Sequence, residues 1–241
     1  MIVDINRVGG LDYVRREGDL VRLGALVRHR TVELDQEIRS RCSMIGDAMS
    51  LLGHVAIRNR GTVAGSFAHA DPAAEWPALA LALDADCTLM GRSGLRTVPA
   101  RRFFEGFMTT ALQPDEMLAE VSFTLPPANA GSSFFEVARR RGDFAQAGAG
   151  VVLVINEGEV SLARITLLGL GSTPLRATRA EEGLIGERPT SDVLRRIAGV
   201  AAESMDPLDD VHADAGYKRH VGRVMVQRAL ATAHSRARVS Q

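Results

Sequence analysis

Hydrophobic residues recur along this chain at two spacings, and the change from one to the other marks its organisation. Ile2, Val3, Ile5 and Val8 predict a strand ending at the Gly9-Gly10 turn. Short strands over 13–16 and 20–23 follow, joined by Glu17-Gly18-Asp19. Ile38, Cys42, Ile45, Met49 and Leu52 stand three or four apart, which predicts one amphipathic helix over 38–52, stopped by Gly53. Small residues and few packing side chains make 58–66 a predicted loop. Pro72, tolerated in a first turn, predicts the opening of a helix running through Glu75 and Leu83. Strands over 87–91, 95–98 and 118–125 are expected next, with a short helix near 102–106.

Pro126-Pro127-Ala128-Asn129-Ala130-Gly131 reads as a linker. Beyond it come β-rich runs over 133–139, 148–156 and 160–169, the last two joined by the hairpin turn Asn156-Glu157-Gly158-Glu159. Helices over 177–185, 191–204 and 216–233 are predicted to close the chain. In the last of them Tyr217, Val221, Val224, Met225 and Ala229 share a face. The fold class is α+β, in two parts: 1–127, and 132–234 with a three-stranded antiparallel sheet packed with helices.

Composition narrows the function more by exclusion than by indication. Across 241 residues, 29 Lys and Arg balance 29 Asp and Glu, so no bulk basic field attracts nucleic acid or anionic lipid. The longest aliphatic runs, 78–83 and 151–155, fall far short of the ~20 residues that span a bilayer. The start of the chain carries an acidic Asp4 and no apolar core of signal-peptide length. Two isolated cysteines, Cys42 and Cys87, fit buried hydrophobes in a reducing compartment, and a cytoplasmic protein is expected.

Several stretches carry chemistry. In Gly61-Thr62-Val63-Ala64-Gly65-Ser66, small residues let backbone N–H groups approach a ligand, and the two hydroxyls suit phosphate oxygens. The glycine spacing fits neither a Walker loop nor a dinucleotide fingerprint, and a plain structural turn is the competing reading. His69 and Asp71 invite a general-base reading, but no nucleophile accompanies them, and Asp71 capping a helix at Pro72 is the simpler role. Glu75, on that helix's first turn, suits either two ribose hydroxyls or dipole compensation. Arg139-Arg140-Arg141-Gly142-Asp143-Phe144-Ala145 reads as a turn that shows side chains to an anionic ligand or partner. Asp209, Asp210, His212 and Asp214 have the spacing of neither a calcium loop nor a zinc helix and read as a solvated loop.

Taken in order, residues 2–7 (Ile2-Val3-Asp4-Ile5-Asn6-Arg7), residues 57–66, His69-Ala70-Asp71-Pro72-Ala73-Ala74-Glu75, residues 141–145 and Tyr217-Lys218-Arg219-His220 resemble one family. It is that of the FAD-binding medium subunits of molybdenum hydroxylases, which includes the carbon monoxide dehydrogenase medium subunit and the flavin segment of xanthine dehydrogenase. The resemblance covers nearly the whole chain. It implies an FAD-binding domain of the PCMH type followed by a carbon monoxide dehydrogenase flavoprotein C-terminal-like domain. It also implies that Thr62, Val63, Ala64, Gly65 and Ser66 wrap the FAD pyrophosphate, that Glu75 lies near the ribose or phosphate, that Leu118 lines the flavin, and that Asp143 faces its ring system. The implied partners are an iron–sulfur small subunit with 2Fe–2S clusters and a large subunit with the molybdenum cofactor. Electrons would run from the clusters through FAD to an external acceptor, in an oxidoreductase whose substrate is chosen by the large subunit.

Two departures from the family pattern set further expectations. The family's loop carries two consecutive glycines where this chain has Ala64-Gly65. If the first needs positive φ, Ala64 costs about 1 kcal/mol. The family also precedes the strand matching residues 2–7 with a βα unit bearing a second glycine-rich FAD loop. The chain as given lacks that unit, so either a truncated FAD-binding domain with half a flavin site or an upstream start is expected. An exposed strand edge and poor solubility would accompany truncation. The alternative is a truncated, flavin-free interaction subunit that keeps its partner surfaces.

Overall fold

The computed structural model describes residues 3–238. The first part is built on an antiparallel five-stranded sheet. Strands β1 (Val14–Glu17) and β2 (Leu20–Gly24) form its first hairpin. A run of short helices follows: α1 (His29–Leu34), α2 (Gln36–Arg41), α3 (Ser43–Leu51), α4 (Val55–Arg58), α5 (Val63–His69) and α6 (Glu75–Ala82). Hairpin β3 (Asp86–Gly91) and β4 (Gly94–Pro99), helix α7 (Ala100–Phe103), the small hairpin β5 (Phe104–Gly106) and β6 (Thr109–Thr110), and strand β7 (Met117–Thr124) complete it. The order β1-β2-β7-β3-β4 puts β7 at the centre, where Leu118 and Val121 are buried.

The second part is a sheet covered on both faces. Strands β8 (Gly131–Val137), β9 (Ala147–Asn156) and β10 (Glu159–Leu168) pair antiparallel, and the two-residue β11 (Leu175–Arg176) extends the edge. One face meets α3 and α6 of the first part through Phe134, Val152 and Leu168. The other meets α8 (Thr178–Glu182) and α10 (Ala215–Arg236) around Ala149, Val151 and Leu153, with α9 (Ser191–Ala202) packed on those two helices. Burial on both faces explains why β9 is a continuous apolar run rather than an alternating one. The β9–β10 turn has Glu157 at φ 52° and Gly158 at φ 83°, the two left-handed positions of a type I′ hairpin.

Five expectations are corrected. The strand predicted at the start does not form over 3–8, and its Ile2 lies outside the described residues. Asp4 instead accepts from the Asn6 N–H, Val8 N–H closes a turn on the Ile5 carbonyl, and Val3 and Val8 face solvent. The helix expected over 38–52 is two helices broken at Cys42, because Ser132 of β8 caps the second: its hydroxyl accepts from Met44 N–H at 3.1 Å. The predicted 58–66 loop is mostly helical, being the end of α4 and the start of α5. Helix α6 opens at Glu75 rather than at Pro72. Asp71 closes a turn through Ala73 N–H, and the Pro72 carbonyl is taken by Gly169 N–H at 2.8 Å. Finally, α10 is rotated in part from the expected face. Met225 and Ala229 are buried and Val221 and Val224 pack partly buried, as expected, but Lys218 and Gly222 also lie inward and Tyr217 is 46% exposed.

The rotation of α10 follows from two residues that apolar periodicity does not register. Lys218, the chain's only lysine, lies inward, and its Nζ donates to the Leu208 carbonyl at 2.8 Å and to Asp210 Oδ2 at 2.6 Å. Gly222 admits Leu170, whose Cδ1 would lie 2.6 Å from a Cβ there. The 209–214 loop is thus tied down: Asp210 holds Lys218, and Asp214 caps α10 by accepting from Tyr217 N–H. Among the described residues no His, Cys, Asp or Glu cluster suited to a metal ion occurs, and no helix is long and apolar enough to cross a membrane.

Candidate functional site

A cleft of about 780 Å³ opens where α5, the start of α6 and β7 meet the turn before β9. Thr62, Ala64, Gly65 and Ser66 line one wall. Glu75 and Leu118 line the interior, and Asp143 and Phe144 form part of the rim. Val63 is the exception among the residues singled out from the sequence. It is wholly buried, and its side chain belongs to the core beneath the wall.

The wall is shaped by capping. Thr62 is extended, at φ −110° and ψ 152°, and its Oγ1 accepts from Gly65 N–H at 3.0 Å. A Cβ on Gly65 would lie 2.7 Å from that oxygen, so in this geometry a side chain there would push the Thr62 hydroxyl aside. Ala64 has ordinary helical backbone and is absent from the positive-φ positions. The strain weighed for Ala64-Gly65 therefore does not arise. Gly61 is constrained from behind, where a Cβ would stand 2.8 Å from His29 Cδ2 and 2.9 Å from its Nε2. Small residues with open space on the cleft side and close packing on the other form a cradle for a ligand's backbone-binding portion.

Sequence reasoning missed three residues that build this wall. His29 is buried at the cleft's edge, with its Nδ1 accepting from Trp76 Nε1–H at 3.0 Å. Burial first, then the charges of Arg58 and Arg28, push its pKa down to about 4, so the ring is neutral. Arg58 is buried, forks onto both Glu33 oxygens at 2.9 and 3.1 Å, and donates to the Leu52 and Gly53 carbonyls. It thereby fixes the Gly53 corner of the cleft. Arg28 donates to the Arg60 carbonyl and to Asn6 Oδ1, holding its guanidinium at the rim. None of the three sits in an apolar period. The legible signal for Arg28 and His29 was the Arg28-His29-Arg30 run, which opens α1, and Arg58 had none.

The opposite rim is a turn from the second part. Gly142 has φ 87°, and a Cβ there would lie 2.7 Å from His54 Nδ1, so the turn docks against the α3–α4 corner. Asp143 N–H closes it on the Arg140 carbonyl. His69 and Asp71 stand 4.0 Å apart, and the His69 ring lies beside Phe144 at 6.4 Å; nothing in this arrangement supplies a nucleophile.

Glu75 is only 6% exposed, and burial, with Asp71 nearby, pushes its carboxyl up to about 7. Behind it Glu136 is pushed up to about 8, by burial and by the charge of Glu75, and its Oε2 is buried without a hydrogen-bond partner. Both carboxyls bind protons more tightly folded than unfolded. Their contribution to stability is therefore full below the ordinary carboxylate range and is lost as pH rises through about 7 and 8. Glu136→Gln should raise stability near pH 8.5 by about 1–3 kcal/mol and change it little near pH 5. Thermal melts at the two pH values check this, and an equal shift at both would contradict it.

Comparison with known proteins puts the cleft in context. Residues 1–126 match the family described as the FAD binding domain in molybdopterin dehydrogenase, and 132–233 match the CO dehydrogenase flavoprotein C-terminal domain. The chain is 39% identical over 239 residues to the 6-hydroxypseudooxynicotine dehydrogenase complex subunit alpha of Paenarthrobacter nicotinovorans, covering 99% of this chain and 81% of that one. It superposes on a chain of a carbon monoxide dehydrogenase from Hydrogenophaga pseudoflava with a TM-score of 0.94 at 36% identity, covering 97% of this chain and 82% of the other. It superposes on a chain of quinoline 2-oxidoreductase from Pseudomonas putida 86 with a TM-score of 0.91 at 29% identity, covering 96% and 81%.

Proposed function

Because the chain belongs to the FAD-binding subunits of the molybdopterin dehydrogenases, we propose that it holds FAD in the 780 Å³ cleft and serves an oxidoreductase complex as its flavin relay. In this reading the flavin-binding part is 1–127 and the closing part 132–234. The observation that carries the proposal is the cleft itself. It draws Thr62, Ala64, Gly65 and Ser66, then Glu75, then Leu118, then Asp143, from four separate stretches of chain onto one surface.

The residues fit the group. A cradle of glycine and alanine with two hydroxyls suits a pyrophosphate, whose oxygens accept from backbone N–H and Ser or Thr O–H groups. Glu75, buried and with its carboxyl near neutrality, can both accept from and donate to ribose hydroxyls. Leu118 supplies apolar surface for a flat ring, and the Asp143-Phe144 turn covers the mouth. Val63 contributes through its backbone and by anchoring the wall in the core. When bound, FAD supplies the redox chemistry, taking electrons from the 2Fe–2S clusters of a small partner subunit and yielding them to an external acceptor. The chain's own part is to bind, orient and shield it.

A large partner subunit with the molybdenum cofactor would oxidise the substrate, so substrate choice lies outside this chain. The relatives act in dehydrogenases named for a pyridine alkaloid derivative and carbon monoxide, which fits a relay shared by different chemistries. Free, buried Cys42 and Cys87 support a reducing compartment, the cytoplasm. The test is retention: the chain mixed with FAD and desalted should keep the visible bands of bound flavin. A colourless, folded protein would favour the flavin-free interaction subunit instead.

A further inference from the structure

His29 has its hydrogen-bonding capacity only half used. Its Nδ1 accepts from Trp76 Nε1–H, so the neutral ring carries its proton on Nε2. Among the described residues no acceptor for Nε2–H is seen, and the residue as a whole is only 5% exposed. The ring borders the cleft, and its Nε2–Cδ2 edge lies against Gly61, one residue before the Thr62 cap. The backbone ties the two segments together: His29 N–H donates to the Gly61 carbonyl at 3.1 Å, and Arg28 bridges to Thr62. A donor at the edge of the cleft with no protein acceptor is available to a ligand that enters it.

Resting on the flavin reading, we infer that His29 is a ligand-binding residue whose Nε2–H donates to an oxygen of the FAD pyrophosphate, with Trp76 as the positioning residue that fixes the tautomer. Three features favour the pyrophosphate over the ring system. The Nε2 edge adjoins Gly61, on the Thr62–Ser66 side of the cleft rather than the Leu118 or Asp143 side. Arg28 and Arg60 border the same region and provide the positive field an anionic group needs. A neutral imidazole adds a donor there without placing a third cation beside Arg28 and Arg58, the two charges that already oppose its protonation.

The test uses the full chain labelled with ¹⁵N-histidine. Three probes are added separately: FAD, ADP, which has the pyrophosphate without a flavin, and riboflavin, which has the flavin without phosphate. The inference predicts that FAD and ADP both move the His29 Nε2–H proton downfield and that riboflavin does not. In binding titrations, His29→Leu should weaken FAD about tenfold or more, the loss expected for a hydrogen bond to a charged group. His29→Gln, which keeps an N–H donor at similar reach, should restore most of it. A merely space-filling role would show no selective proton shift and no rescue. If wild type binds FAD while the Nε2 signal stays still, or follows riboflavin but not ADP, the inference falls and the flavin reading stands. If wild type binds no FAD, both fall. Should His29→Leu fail to fold, the wild-type spectra alone decide.

Discussion

Alanine at position 61 is expected to weaken FAD binding by about tenfold or more and to lower the melting temperature by several degrees. The added Cβ would stand 2.8 and 2.9 Å from the His29 ring and 3.2 Å from the Ile57 carbonyl oxygen. The ring cannot swing away freely, because Trp76 Nε1–H holds its Nδ1 and the indole stacks near it with centroids 6.4 Å apart. Overpacking of this kind typically costs about 1–3 kcal/mol, and here relief comes only by displacing the cleft wall. Binding titrations and thermal melts of the same preparation measure the two effects together. Unchanged affinity would show that the wall tolerates the shift and that the cradle is less exacting than its geometry implies.

The second large effect is expected far from the cleft, at Gly131. This residue ends the stretch that reads as a linker, yet it opens β8 and pairs with Leu153. A Cβ there would fall well inside contact distance of the Ala233 carbonyl oxygen and 2.9 Å from Ala237 Cα, backbone atoms at the end of α10. Rotamer changes cannot relieve a clash with backbone, so the helix end must lift. Arg236 depends on that end staying in place, since it donates to Asp47 Oδ2 at 2.6 Å and to the Ser132 carbonyl at 2.9 Å across the two parts. Gly131→Ala should therefore cost about 3 kcal/mol or more, at the upper end of overpacking. In a chain of this size that is roughly 6–12 °C in melting temperature. A shift under 2 °C would contradict the packing described for α10.

The second part of the fold was legible in the sequence because its signals are local and strong. Glu157-Gly158 supplies the two positive-φ residues a type I′ turn needs, and apolar runs on each side leave one register available. The first part was less legible for a physical reason. Its helices α1, α2, α4 and α5 have six, six, four and seven residues, too short to display a period, and they are fixed by partners distant in sequence. Ser132 breaking the 38–52 helix at Cys42 and Gly169 drawing off the Pro72 carbonyl are contacts no window of residues contains.

The candidate site divides the same way. Thr62, Gly65 and Ser66 stood out because small and hydroxyl residues are rare in such density, and Glu75 stood out by following Asp71-Pro72. His29 did not, since its role comes from Trp76, 47 positions away, and from Gly61, whose missing Cβ makes room for the ring. Lys218 is of the same kind: no apolar period registers it, and it is a buried tether to the Leu208 carbonyl and Asp210.

The central claim is that this cleft binds FAD, and the chain carries its own reporter. Trp76 is the only tryptophan, directly follows Glu75 and is bonded to His29 at the cleft wall. Equilibrium titration of the desalted chain with FAD, followed by tryptophan emission, reads binding at that wall. The account predicts saturable quenching complete near one FAD per chain, with the curve moved to higher concentration in Gly61→Ala. Emission that falls only in proportion to the light FAD absorbs, with no saturation and no flavin retained, would contradict it.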